Sequence, residues 1–240
     1  PSVVVVGGAP AVAPKETVTI TETVREKKPG INVLPTDKPG DAVRGSLGGG
    51  GSRTDTTQPG GIRVEDNYLK RLMGLSTGKI LKDIKRKHKF PNTVQDLREE
   101  RRYHYFKFIG GKNIIFPGVK KLIEKLRLNY KVAIATGSSR VIFEHSTDKD
   151  FQILFDSIIT INEVKNGKPH PEQLIRTAKR LRIKTSECLV LGDSIYDCIA
   201  AKRAKMDCGG VLTGFTSEKE LKMNGAIAVL RNINELQKIL

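Results

Sequence analysis

The sequence predicts an α/β fold in which a parallel sheet carries helices on both faces, with a small helical domain set before it. Three observations point there. From Phe116 onward, short and almost wholly apolar runs alternate with amphipathic stretches. That is the pattern of parallel strands buried on both sides and joined by crossover helices. Residues 62–112 instead repeat their apolar residues at helical spacing. Residues 1–61 match neither pattern, being rich in Gly, Pro, Thr and Val and free of aromatic residues.

Taken in chain order, residues 1–61 read as a low-complexity leader or linker, with a GGGGS string at Gly48–Ser52. Two runs, Ser2–Val6 and Thr17–Val24, are rich in β-branched residues and strand-like, but little flanks them to pack against. The chain starts at Pro1 and not at Met, as expected of a processed, trimmed or partial sequence.

Residues 62–112 read as a small helical cap. Tyr68, Leu69, Leu72 and Met73, then Ile80, Leu81 and Ile84, recur at helical spacing around a Gly74-Leu75-Ser76 break, with Ser76 or Thr77 as an N-cap. Pro91 ends that pattern, and a further helix is expected over 93–108.

Residues 113–240 hold the α/β core. Pro117-Gly118 opens a helix that runs to Leu128, with Val119, Leu122, Ile123 and Leu126 on one face. Strands are expected over 131–135, 157–161, 188–191, 209–212 and 226–229. Helices are expected over 139–146, 172–181, 197–205, 217–223 and 233–240. An open, Rossmann-like sheet of this kind binds its ligands at the carboxyl ends of the strands, so the chemistry belongs in the loops that follow them.

Composition narrows the function classes. No run of eighteen apolar residues occurs, so no helical membrane span is expected. Cys188, Cys198 and Cys208 have no CxxC spacing and read as buried free thiols, which suits a reducing, intracellular compartment, the cytoplasm or an organelle. The formal charge is +16, and since residues 1–61 hold seven Lys and Arg against six Asp and Glu, fifteen of those charges fall in 62–240. A nucleic-acid partner is one reading of that excess. The bland reading is a lysine-rich solvated surface that also attracts small anionic substrates. The charge is spread over many helices without interleaved aromatics, and Trp is absent, which favours the second.

Three of the strand-end loops carry chemistry. The first expected core strand ends in Thr136-Gly137-Ser138-Ser139-Arg140, a hydroxyl and a row of backbone amides that suit a phosphate oxygen, and also an ordinary capped turn. Before the helix at 172–181 lies Asn166-Gly167-Lys168-Pro169-His170-Pro171. There Lys168, placed between Gly and Pro, can neutralise charge on a transferring phosphoryl group, or is a solvent lysine in a turn. His170 reads as a turn residue. The strand over 188–191 ends in Gly192-Asp193-Ser194-Ile195-Tyr196-Asp197, two carboxylates four residues apart. Asp193 offers a hard oxygen ligand for Mg²⁺, and Asp197 would ligate directly, act through water or orient its neighbours. A helix N-terminus favours acids in any case, which accounts for Asp197 better than for Asp193.

In order and spacing this trio resembles the haloacid dehalogenase-like hydrolase superfamily, from about residue 62 to 240, and within it the beta-phosphoglucomutase, phosphoglycolate phosphatase and pseudouridine-5′-phosphatase subgroup. Thr136 matches the family's second motif, Lys168 its third, and Asp193 with Asp197 its Gly-Asp-x-x-x-Asp fourth motif. Ile62–Phe108 resembles the cap, and Ile114–Gly118 the return to the core. The resemblance implies a Mg²⁺-dependent phosphatase acting on a small phosphorylated metabolite through an aspartyl-phosphate. Thr136, Gly137, Ser138 and Lys168 would hold the phosphate, and Asp193 and Asp197 the metal. A phosphomutase, and a catalytically inactive phosphate-binding, nucleic-acid-binding or scaffold protein, are the alternatives. The family's nucleophile stands in an Asp-x-Asp motif after the first strand, and this sequence has none followed by Gly-Thr or Gly-Val. Asp37 is the acid nearest the required place, but its second neighbour is Pro39, and Pro35 would interrupt a central strand.

Overall fold

The computed structural model describes the backbone of residues 2–7 and the residues 64–89, 92–110 and 114–238. The Thr17–Val24 run, the GGGGS string and Asp37 lie outside the described residues. Six strands form one sheet: β1 (Ser2–Gly7), β2 (Tyr130–Ala135), β3 (Ser157–Ile159), β4 (Cys188–Gly192), β5 (Asp207–Val211) and β6 (Ala226–Leu230), in the order β3-β2-β1-β4-β5-β6. The pairs β2·β3, β4·β5 and β5·β6 are parallel, as the alternation of apolar runs and helices predicts.

The middle of the sheet departs from expectation. The Ser2–Gly7 run, which the sequence leaves without neighbours, occupies the central place between β2 and β4 and runs antiparallel to both. Ser2 pairs with Ala135, Val4 with Ala133 and Val190, and Gly7 with Tyr130. Four consecutive valines suit a strand covered on both faces and bonded on both edges, because β-branched side chains lose little on entering extended backbone. Hydrophobicity does not specify strand direction, so an apolar run separated from β2 by more than a hundred residues can enter either way round.

Period-two alternation sorts the side chains of the other strands. Val132 and Ile134 of β2, with Leu189 and Leu191 of β4, face a cluster built from Val119, Leu122, Ile123 and Leu126 of α4 (Val119–Leu126) and from Phe143 and Phe151. Ala133, Ala135 and Val190 face the other side. There they meet Leu174, Ala178 and Leu181 of α7 (Glu172–Leu181) and the small residues Ala200, Ala201 and Ala204 of α8 (Ile195–Ala204). Both faces are covered, which is what continuous apolar strands demand. Two short helices, α5 (Arg140–Ser146) and α6 (Lys149–Gln152), lie between β2 and β3, and α9 (Glu218–Met223) precedes β6.

Several expected boundaries shift: α8 begins at Ile195, β5 runs Asp207–Val211 and α4 ends at Leu126. The strand foreseen over 157–161 stops at Ile159, because the chain turns into a 3₁₀ turn at Ile161–Glu163. The closing helix is a 3₁₀ segment, Ile233–Lys238, that packs Ile233 and Leu236 into the first cluster. The helical segment before the core comprises α1 (Asp66–Leu72), α2 (Thr77–His88) and α3 (Val94–Ile109). Ser76 is the N-cap residue of α2, and Thr93 caps α3 through a reciprocal pair with Asp96. Tyr105 and Ile109 of α3 pack on Ile142 of α5, and the Tyr105 hydroxyl meets Ser146 Oγ at 2.5 Å.

Because β1 is bonded on both edges, its amides matter more than its side-chain shape. Val4→Pro removes one ladder donor and is expected to destabilise the fold by about 3 kcal/mol or more. Val4→Thr, which keeps the N–H and the branch, is expected to cost much less. Chemical denaturation of the two variants checks this, and equal midpoints would remove β1 from the centre of the sheet.

Candidate active site

The site forms where β2 and β4 end on either side of the amino end of β1. Thr136, directly after Ala135, is 1% exposed. Its amide still donates to Ile159 O at 2.9 Å, so the residue is anchored as though the strand continued. Its hydroxyl accepts the Ser138 amide at 3.1 Å, and its carbonyl accepts Gln173 Nε2 at 2.7 Å. Ser139 then caps α5.

Lys168 and Asp197, called separately from the sequence, meet inside the protein. They are 4% and 2% exposed, and Lys168 Nζ lies 2.5 Å from Asp197 Oδ1. Lys168 also donates to Ala135 O at 3.3 Å, the carbonyl at the end of β2. The second Asp197 oxygen accepts the Ser194 amide at 3.2 Å and the Ser194 hydroxyl at 2.5 Å, in a capping box that starts α8. Burial alone pushes the Asp197 carboxyl up. The Lys168 charge and the hydrogen bonds from Lys168 and Ser194 outweigh it and hold the group below the usual carboxylate range. Gly192 makes the approach possible, since any Cβ there would collide with the Asp197 side chain.

Asp193 stands differently. It is half-buried at the mouth of the same loop, against the backbone of Gly214, where a side chain in place of that glycine would run into its carboxylate. A Mg²⁺ ion commonly takes one or two carboxylates and completes its shell with water and phosphate oxygens. Asp193 fits such a ligand. Both Asp197 oxygens are engaged by Lys168 and Ser194, which suits the orienting role among those open to it from sequence. Among the described residues, no three His, Cys, Asp or Glu side chains converge on one point.

The helical segment reaches this site through the break that the sequence marks at Gly74-Leu75-Ser76. Gly74 has φ +94°, and a side chain there would sit 2.6 Å from Ser194 Cβ. Ser76 lies against Gly167 and Gly137. Lys79 Nζ donates to Gly167 O at 2.8 Å and Lys168 O at 3.3 Å, and Tyr196 donates its hydroxyl to Arg71 O at 2.9 Å. Burial and the nearby Arg203 charge push the Lys79 amine down. His170 is a turn residue as expected, its Nδ1 accepting the Glu172 amide at 3.2 Å.

Sequence reasoning missed Ser194, Gln173 and Lys79. Ser194 was legible as the Ser of a Ser-x-x-Asp capping pattern. Gln173 and Lys79 depend on how helices pack and carry no local signal. The three cysteines are free and buried, as read from their spacing, and burial pushes the Cys188 thiol up to about 12.

Comparison with known proteins gives the family of the chain. The family model for the haloacid dehalogenase-like hydrolases matches residues 54–211. The chain belongs to that family. A haloacid dehalogenase-like hydrolase domain-containing protein of Arabidopsis thaliana is 32% identical over 155 residues, covering 62% of this chain and 48% of that protein. The phosphoglycolate phosphatase of Colwellia psychrerythraea is 25% identical over 135 residues, covering 55% of this chain and 60% of the enzyme. The chain thus spans about half of the curated relatives it matches. Among solved structures, a hydrolase from Pseudomonas syringae superposes with a TM-score of 0.64 at 29% identity, covering 74% of this chain and 85% of that one. A beta-phosphoglucomutase from Clostridium difficile shares the fold, with a TM-score of 0.63 at 24% identity, covering 75% of this chain and 82% of that one. The haloacid dehalogenase-like fold and subgroup that the motifs suggest are those the comparisons return.

The ion pair gives a stability test. Lys168→Met leaves Asp197 buried without its cation and is expected to destabilise by about 3–5 kcal/mol, with Lys168→Met/Asp197→Asn recovering much of the loss. In the wild type, Asp197's contribution is full above the unfolded carboxylate value, near 4, and is lost as pH falls through its lower folded value. In Lys168→Met the sign reverses, because burial then dominates and the penalty grows as pH rises. Unfolding curves measured across pH check both signs.

Proposed function

We propose that this domain binds the phosphoryl group of a small phosphomonoester as a Mg²⁺-dependent phosphatase of the haloacid dehalogenase type. The observation that carries the reading is the buried meeting of Lys168 with Asp197 and with Ala135 O, at the end of β2 where the Thr136–Ser138 turn begins. Thr136 and the following amides would hold phosphate oxygens. Lys168, held in place by Asp197, would offset negative charge on the phosphoryl group. Asp193 would hold Mg²⁺, which when bound draws electron density from the phosphorus and makes attack easier. The segment 64–110, resting on Ser194 and Gly167, would serve as the cap that excludes water. The covalent step, formation of an aspartyl-phosphate, needs a carboxylate nucleophile from outside the described residues, with Asp37 the candidate in sequence.

One observation favours a second reading, binding without turnover. Because β1 runs antiparallel, its amino end, where Ser2 pairs with Ala135, lies beside the site, and the run Ser2–Gly7 contains no acid.

A single assay separates the two. Phosphate release from a panel of small phosphomonoesters is to be measured with Mg²⁺ and with EDTA, beside Asp193→Asn. Release that needs Mg²⁺ and falls at least about a hundredfold in the variant is the result expected of the phosphatase. No release by folded protein that still binds inorganic phosphate would establish the second reading. Neither release nor binding would sink both.

A further inference from the structure

On the phosphoryl-binding reading above, we propose that Gln173 is a positioning residue that aims the Gly137 amide into the site. The reasoning starts from the end of β2. In a parallel pair, alternate residues of a strand direct both their N–H and their C=O toward the same neighbour. The Thr136 amide bonds Ile159 O, so Thr136 belongs to the set that faces β3. In a continued ladder its carbonyl would accept the amide of Ile161. That amide donates instead to Ser138 O, at 3.2 Å, because the chain leaves the strand for the 3₁₀ turn Ile161–Glu163. The Thr136 carbonyl is thereby left without its ladder donor one residue past the end of β2.

Gln173 replaces it. The side chain comes from the first turn of α7, is 0% exposed, and donates from Nε2 to Thr136 O at 2.7 Å. A buried amide is costly at this place, and the cost is visible, since Gln173 Oε1 has no hydrogen-bond partner among the described residues. A leucine would fill the same space without that penalty. The one hydrogen bond to Thr136 is what distinguishes glutamine here.

Its effect passes through the peptide plane. The unit joining Thr136 to Gly137 is planar, with its C=O and N–H pointing in opposite directions. Holding the carbonyl toward β3 and α7 therefore turns the Gly137 N–H toward the centre of the sheet, the side on which Lys168 meets Ala135 O. That N–H makes no hydrogen bond among the described residues. It is a preset donor for a phosphoryl oxygen, and Gln173 prevents the peptide from flipping.

The test is a titration of ¹⁵N-labelled protein with inorganic phosphate, for the wild type, Gln173→Leu, Gln173→Met and Thr177→Val. Thr177 lies one turn on, is equally buried and donates to the Gln173 carbonyl at 2.8 Å, so its variant controls for general loosening of α7. In the wild type the Gly137 amide resonance is expected to move on phosphate addition. Gln173→Leu and Gln173→Met are expected to weaken phosphate binding at least about tenfold, the loss of one charge-assisted hydrogen bond, and to abolish that movement while melting like the wild type. Thr177→Val is expected to bind within about twofold of it. Wild-type affinity in the two Gln173 variants would overturn the proposal, as would an equal loss in Thr177→Val. Phosphate binding by the wild type without movement of the Gly137 resonance would overturn it without recourse to a variant. Absence of phosphate binding in the wild type would remove the phosphoryl-binding reading itself, and this role of Gln173 with it.

Discussion

The buried contact between Lys168 and Asp197 is the constraint on which the site depends. Each group alone would be costly so far from water, and the pair is tolerated because every strong demand is met nearby. Lys168 has Asp197 and the Ala135 carbonyl, while Asp197 has Lys168 and both Ser194 donors. Those partners belong to the end of β2, the loop before α7 and the first turn of α8. A single ion pair thus sets the relative positions of three segments. The glycine at 192 follows from it, since the helix bearing Asp197 has to approach the strand more closely than a Cβ allows.

The centre of the sheet obeys a different constraint. A slot between β2 and β4 requires a strand bonded on both edges, because unpaired backbone groups in the middle of a buried sheet are expensive. Four valines satisfy that need in either direction. The direction seen here matters for chemistry. A parallel strand would bring its carboxyl end, and whatever side chain follows it, to the loops after β2 and β4. An antiparallel strand brings its amino end there, and the sheet is completed without adding an acid.

The contact between the helical segment and the core shows the same economy. Gly74 lets the chain lie on Ser194, Ser76 touches the loops at 137 and 167, and Lys79 bonds the carbonyls of Gly167 and Lys168. The part of the segment that the sequence marks only as a break between two helices is therefore its point of contact with the site. Part of the large positive charge also has a local place here, since Lys79 and Arg203 hold successive carbonyls of the loop that carries Lys168.

What the sequence by itself determined about this protein is the frame. Continuous apolar runs set β2, β4 and β5 with the helices that cover them, and the order of Thr136, Lys168, Asp193 and Asp197 marked the loops after β2, β3 and β4 as the candidate site. These features are local or periodic, so they are legible in order along the chain. Tertiary structure alone decided the rest. The slot between β2 and β4 took Ser2–Gly7, in the antiparallel sense, because pairing depends on which edges are open and not on composition. Asp197 turned to Lys168 because both are buried against Ala135 and Ser194. Gln173 met Thr136 because β3 ends two residues early and leaves a carbonyl to be filled, and no pattern in a linear sequence records a hydrogen bond left vacant by another strand.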